Sequence, residues 1–245
     1  MEKEISNIVK DTDLKHIAII MDGNRRWAKE RNLPTMVGHK KGVEALKNTL
    51  RACNDFGVKY LTVYAFSTEN WNRPKSEVLA LMKLFKEYLK EGDERIAEND
   101  IRQMRLKFIG ERDNLPKDLL KLIEKAERES AKYDKVTVNI ALNYGGRAEI
   151  THAVKEIASK VKSGKMTIDE ITEDVVSNNI YTAGQPDPDI IVRPSGEYRL
   201  SNFMTWQSAY SEFWYSDILW PDFTEEDVNK ILEDYQKRNR RFGGV

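Results

Sequence analysis

Cysteine is almost missing from this chain. Cys53 stands alone, which excludes an intramolecular disulfide and fits a reducing compartment. It falls on the apolar side of a helical pattern and reads as a small core residue. Long hydrophobic runs are missing too: no segment approaches the length of a membrane span. The opening MEKEISNIVK is charged where a secretory leader would be apolar, so a soluble cytoplasmic protein is expected. Nor does one sign of charge dominate. The 40 basic and 40 acidic residues cancel, so no global field draws the chain to nucleic acid or to an anionic membrane. Any basic function is therefore local. Repeats, low-complexity tracts and Pro/Gly/Ser linkers are absent, and the 245 residues are read as a single domain. Neither G-x-x-x-x-G-K-[ST] nor a strand followed by G-x-G-x-x-G occurs, which withdraws support from a nucleotide site of either kind. No His/Cys cluster suggests zinc.

What is present is an alternation of strand-like and helix-like runs. His16–Met21, Tyr60–Phe66, Arg105–Ile109, Val136–Leu142, Asp189–Val192 and Glu212–Ser216 are apolar and rich in β-branched or aromatic residues. Between them lie helical patterns: Val43, Leu46, Leu50 and Cys53; Ser76 to about Arg95; about 117–132; Arg147–Val161; and about Glu225–Arg238. Strands separated by helices of this length imply crossovers and a mostly parallel sheet, six-stranded here and flanked by helices. In such sheets ligands sit at the carboxyl ends of the strands. Polar clusters follow the first, second and fifth strands, where a site is expected.

The first cluster is Asp22-Gly23-Asn24-Arg25-Arg26-Trp27. Gly23 permits a tight turn out of the strand, and the helical stretch that starts behind it presents free amides to an anion. Two guanidinium groups there would suit a diphosphate, and Asp22 would suit a Mg²⁺ ion bridging its oxygens. A plain DGN turn with solvated arginines explains these residues equally well. The second cluster, Ser67-Thr68-Glu69-Asn70-Trp71-Asn72-Arg73-Pro74, is unusually dense in hydrogen-bonding side chains, although Asn-Arg-Pro is also ordinary helix-entry chemistry. In the third, Arg193 and Arg199 flank a Gly turn near Ser201 and form a second oxyanion-binding set. His39 alone reads as a cap or surface residue. The helix from Ser76 is apolar over more than one stripe, so it is either buried in a core or lines a cavity for a long hydrocarbon.

Taken together, IIMDGNRRWA, GHKKG, YAFSTENWNRP, NYGGR, PDPDIIVRPSGEYRLSNF, SEFWYSDILWPDF and RRFGG occur in the order seen in cis-prenyltransferases, and the chain resembles that family from about residue 16 to 244. The resemblance implies a homodimer, a Mg²⁺-dependent reaction, and a hydrophobic tunnel for a growing chain. The substrates it implies are isopentenyl diphosphate and an allylic prenyl diphosphate primer, farnesyl or geranylgeranyl. The product would be a long polyprenyl diphosphate such as undecaprenyl diphosphate, precursor of a glycosyl carrier lipid. Peripheral membrane contact for product release goes with this reading.

Role by role, the resemblance makes Asp22 the essential acid between Mg²⁺ and the primer's diphosphate. Gly23, Asn24, Arg25, Arg26 and His39 would hold that diphosphate. Ser67, Asn70, Trp71 and Arg73 would organise the reacting ends, with Trp27, Thr68 and Glu69 also on the substrate. Arg193, Arg199 and Ser201 would grip isopentenyl diphosphate, and Glu212 would be the second metal ligand. Arg241 and Gly243, in a tail over 239–245, would reach the partner's site, and residues 1–14 form an N-terminal extension. Arg25 stands where the bacterial motif usually has glycine, Thr35 where many members have arginine, and Pro194 where threonine is common. These departures lean toward an archaeal or eukaryote-like branch. The family assigns Asn70 to proton removal, but a neutral amide has no useful basicity near pH 7, so Asn70 is read as orienting water or the departing diphosphate. A catalytically silent subunit of the same fold would be expected to lose Asp22 or Glu212, and a phosphatase would need a nucleophile or base dyad that is not visible.

Overall fold

His16–Ile20 (β1) is buried at every position, as befits a strand covered on both faces. The computed structural model describes residues 14–95 and 104–237 and places β1 inside a six-stranded sheet. The other strands are Tyr60–Ser67 (β2), Met104–Ile109 (β3), Val136–Tyr144 (β4), Ile190–Arg193 (β5) and Glu212–Tyr215 (β6). Their order is β3-β4-β2-β1-β5-β6, and every neighbouring pair is parallel. Helices make the crossovers: Asn24–Glu30 (α1), Thr35–Phe56 (α2), Lys75–Arg95 (α3), Lys117–Ser130 (α4), Gly146–Lys162 (α5), Glu173–Ser177 (α6) and Glu225–Gln236 (α7). The expected parallel α/β sheet is therefore present, with each expected element within a few residues of its reading. Residues 1–13 of the N-terminal extension, and the tail with Arg241 and Gly243, lie outside the described residues.

One face of the sheet packs Ile17, Ile19, Leu61 and Val63 against Leu50 and Cys53 of α2 and Ile231 of α7. Cys53 is a core residue, and burial pushes its thiol up to about 12, far from reactive. A separate cluster joins Phe66 with Leu81 and Met82 of α3 and Leu119 and Ile123 of α4. Among the described residues no helix is long and apolar enough to cross a membrane.

Two glycines explain the GHKKG block. A Cβ on Gly38 would sit 2.1 Å from the Asn24 carbonyl oxygen, and one on Gly42 would sit 2.1 Å from Asn24 Oδ1. The start of α1 therefore lies directly on the first turns of α2, with no room for a side chain between them. Trp220 Nε1 donates to the Gly42 carbonyl at 2.9 Å and fixes the approach from the other side. At the opposite end of the sheet, Asp189 Oδ2 accepts from the Lys15 and His16 amides at 2.7 and 2.9 Å. The His16 ring bridges the Pro186 carbonyl and Thr62 Oγ1, each at 2.7 Å.

Candidate active site

β4, β2, β1 and β5 are consecutive neighbours, so the segments leaving their carboxyl ends stand side by side. The chain goes from β1 to β2 on one side and places β5 on the other, which makes the gap between β1 and β5 the switch point where ligands bind. A cavity of about 660 Å³ opens there. Its mouth is polar, with Asp22, Asn24, His39, Asn70, Arg73 and Arg193. Its interior is apolar, walled by Leu46 of α2, by Leu81, Leu84, Phe85, Tyr88 and Leu89 of α3, and by Phe108 and Leu142 of the sheet.

Asp22 occupies the turn out of β1. Gly23 follows with φ 104°, and a Cβ there would come 3.1–3.2 Å from Leu219, so glycine is required on both counts. The Gly23 amide donates to Asp22 Oδ1 at 2.7 Å, and Arg193 Nη2 donates to Oδ2 at 2.8 Å. Burial opposes the charge, but Arg193 and the Gly23 amide outweigh it and hold the Asp22 carboxyl below the usual carboxylate range. Arg193 is only 4% exposed. Its Nη1 donates to Ser201 Oγ at 2.8 Å and to the Arg199 carbonyl.

The consecutive arginines of α1 diverge. Arg26 donates to the Ser195 carbonyl at 2.7 Å and to Glu197 Oε1 at 3.0 Å, while Arg199 holds Glu197 Oε2 at 2.6 Å. Arg25 turns the other way, with Nε 3.7 Å from Glu77 Oε1. Arg73 Nη1 reaches that same oxygen at 3.2 Å and His39 Nε2 stands 3.7 Å from it. Burial, with Arg73 beside it, lowers the His39 pKa to about 4, so the ring is neutral at pH 7.

Ser67 begins a capping box over the 3-10 turn Thr68–Asn72, and its amide donates to Asn70 Oδ1 at 3.2 Å. That bond engages one lone pair of the oxygen and fixes the orientation of the Asn70 amide. Trp71 Nε1 donates to Asn143 Oδ1 at 2.7 Å, and its ring meets Phe66 edge-on at 5.1 Å. Thr68 donates to Glu69 at 3.1 Å, and Asn202 Nδ2 donates to the other Glu69 oxygen at 2.9 Å. Glu77, Asn143, Glu197 and Asn202 were not singled out from sequence. Asn143, Glu197 and Asn202 lie within the family-like motifs, and the i,i+4 spacing of Glu77 from Arg73 is a local signal.

Of the expected site residues, Gly23, Arg25, Arg26, Trp27, Thr68 and Trp71 are not among those that line the cavity, and Glu212 stands at the other end of the sheet. Trp27 does not line the cavity: it packs with Ala28 and Leu219, donates to Asp222 Oδ1 at 2.6 Å and carries Arg31 stacked at 4.3 Å. Its role is to pin α1 to the segment before α7. Glu212 does not meet Asp22 within the chain. It is in register with Ile190, and Ile190 with Ile17, so it starts β6 at the amino end of the sheet. Asp22 lies beyond the other end of β1, about 16 Å farther along the strand direction at ~3.3 Å per residue.

Asp22, at the rim of the cavity, is an acid that could hold Mg²⁺. Among the described residues no group of three or more His, Cys, Asp or Glu could cage a metal. Mg²⁺ keeps several waters and binds through one or two carboxylates plus phosphate oxygens, which suits one acid at the rim of an anion pocket.

Comparison with known proteins agrees with this fold. The family model for undecaprenyl diphosphate synthase matches residues 20–243. An isoprenyl transferase of Clostridium perfringens is 51% identical over 238 residues, covering 97% of this chain and 93% of the relative. One of Bacillus subtilis is 48% identical over 239 residues, covering 98% and 91%. Such bacterial relatives remove the basis for leaning toward an archaeal or eukaryote-like branch. Among solved structures, lavandulyl diphosphate synthase of Lavandula x intermedia, in complex with dimethylallyl diphosphate, superposes with TM-score 0.90 at 36% identity, covering 94% of this chain and 98% of that one. A probable undecaprenyl diphosphate synthase of Campylobacter jejuni gives 0.77 at 31% identity, covering 95% and 100%.

Proposed function

Because the chain belongs to the undecaprenyl diphosphate synthase family and is a prenyltransferase, we propose that it condenses isopentenyl diphosphate onto an allylic diphosphate primer with Z geometry, making a long polyprenyl diphosphate. The carrying observation is one cavity whose arginine-rich mouth runs into an apolar interior. A diphosphate fits the first and a hydrocarbon the second. The lavender enzyme's bound dimethylallyl diphosphate supports an allylic diphosphate here.

In this reading the primer's diphosphate lies between Asn24, Arg25, His39 and Arg73, and its hydrocarbon runs down α3. Arg193, Arg199 and Ser201 hold the diphosphate of isopentenyl diphosphate. The new carbon–carbon bond forms as the allylic carbon–oxygen bond breaks, the diphosphate leaves with the electron pair, and isopentenyl loses a proton. Charge developing on the leaving oxygens is met by guanidinium groups and by amides at the start of α1. A neutral amide has no useful basicity near pH 7, so the proton passes to water or to the departing diphosphate, and Asn70, fixed by the Ser67 amide, positions the acceptor. Mg²⁺ on Asp22, when bound, adds Lewis-acid neutralisation of the leaving group. The protein is proposed to work as a homodimer in the cytoplasm, with Arg241 and Gly243 reaching the neighbour's site and peripheral membrane contact for product release. Labelled isopentenyl diphosphate tests the reading: label should enter an organic-extractable product only with primer and Mg²⁺. Extraction of no label under those conditions would overturn it.

A further inference from the structure

Among the described residues, Glu77 stands within 4 Å of Arg25, His39 and Arg73 at once, all through a single oxygen. Arg73 Nη1 is 3.2 Å from Oε1, and Arg25 Nε and His39 Nε2 are each 3.7 Å away. These groups come from α1, from the first turns of α2 and from the loop before α3, and Glu77 stands in the first turn of α3. Its side chain is 13% exposed and that of His39 10%. At 3.7 Å the His39 contact is too long for a hydrogen bond, and His39 Nε2 has no hydrogen-bond partner among the described residues. The set is thus a ring of donors around one carboxylate oxygen, with a buried imidazole nitrogen still unsatisfied.

We propose that Glu77 is an internal stand-in for the leaving diphosphate, reclaiming Arg25 and Arg73 whenever that anion departs, so that the site releases inorganic diphosphate between additions. The inference rests on the diphosphate reading of this pocket. Two effects of Glu77 oppose each other. It orients Arg25, a side chain 57% exposed, which would favour anion binding. It also places a negative charge beside the anion. Even at the dielectric of bulk water, one unit charge about 4 Å away changes a binding constant roughly fivefold, and a multiply charged anion in a half-buried mouth feels it more strongly. The Arg73 backbone is fixed at the end of the 67–73 turn, where its amide donates to the Asn70 carbonyl at 3.1 Å, so without Glu77 its guanidinium still starts from the mouth and an incoming anion can orient it. The Coulomb effect wins. Glu77 therefore weakens the hold on diphosphate, which an enzyme that discharges one diphosphate per addition needs.

The test is calorimetric titration of the whole protein with inorganic diphosphate, without metal and at low salt, for wild type, Glu77→Gln, Arg25→Gln and the double variant. Glu77→Gln should bind about five- to tenfold more tightly, and the gain should shrink at high salt. Inhibition of turnover by added inorganic diphosphate should tighten by the same factor. Arg25→Gln should bind more weakly and should reduce the gain from Glu77→Gln. A merely structural Glu77 moves affinity the other way, because misplaced arginines bind worse. Unchanged or weaker binding in Glu77→Gln, with wild type binding normally, overturns the stand-in role and leaves the diphosphate pocket intact. Failure of wild type to bind overturns both.

Discussion

At the scale of the residue, Asp22 and Arg193 are one unit. The acid is at the rim, but its partner is buried and depends on it for charge. Asp22→Asn should lower turnover roughly 10²–10³-fold, since a contact made mainly to developing charge is lost. The fold should also weaken, by about 1–3 kcal/mol in a urea melt, because Arg193 keeps only Ser201 and the Arg199 carbonyl. A variant with full turnover in excess Mg²⁺ would remove Asp22 from the mechanism. At the far end of the sheet, His16 gives a pH prediction. Burial lowers its pKa from 6.5 to about 4. The unfolded chain then binds more protons between those values, so stability is full above pH 6.5 and falls as pH drops toward 4, by about 3 kcal/mol for this group. His39 shares the direction and the window. His16→Gln should flatten the stability-versus-pH slope between pH 6.5 and 4 by one proton, leaving the His39 share; an unchanged slope would mean that His16 is protonated in the fold.

At the scale of the element, α1 and α3 carry the consequences. Gly38→Ala drives a methyl into the Asn24 backbone, which cannot swing away as a side chain can. A loss of about 1–3 kcal/mol in thermal melts is expected, with a raised KM for the primer because α1 carries both arginines. The faces of α3, which the sequence left open, are now separated. Leu81 and Phe85 line the cavity, Met82 is buried in the cluster with α4 without lining the cavity, and Leu79 is 69% exposed. Leu81→Ala or Phe85→Ala should lengthen products on thin-layer chromatography, and bulkier residues there should shorten them. Met82→Ala should lower the melting temperature without shifting the distribution; equal product shifts at Met82 and Phe85 would mean that α3 does not act as a wall. The elements were legible because period-2 and period-3.6 patterns are local. Glu173–Ser177 was not, since a five-residue helix shows no periodicity. Glu77 could be found beside Arg73, whereas Glu197 holds Arg26 across 171 residues, a pairing that no local pattern announces. Trp27 misled for the reverse reason: it sits in the motif's sequence but not in its pocket.

At the scale of the whole molecule, the sheet is what brings distant motifs into one place. Asp22, the 67–73 turn, Asn143 and Arg193 are each fixed by a strand hydrogen-bonded to the next, in fixed register from Ile17↔Leu61 to Ile19↔Val192. The edge of the sheet thus behaves as a gauge block that sets the relative heights of separately made parts, with the irregular pairing of β2 and β4 from Tyr64 to Ser67 as a built-in offset. Such a device tolerates substitution and punishes miscounting. Deleting one residue inside β2 would draw the 67–73 turn back by ~3.3 Å against Asp22 and turn the following side chains to the opposite face. An inserted residue near Gly164, whose surroundings are open at the far end of α5, would leave those heights unchanged. Length variation among working copies of this enzyme should therefore gather in connections away from the carboxyl edge of the sheet, while the spacing inside each strand stays constant even where its residues do not.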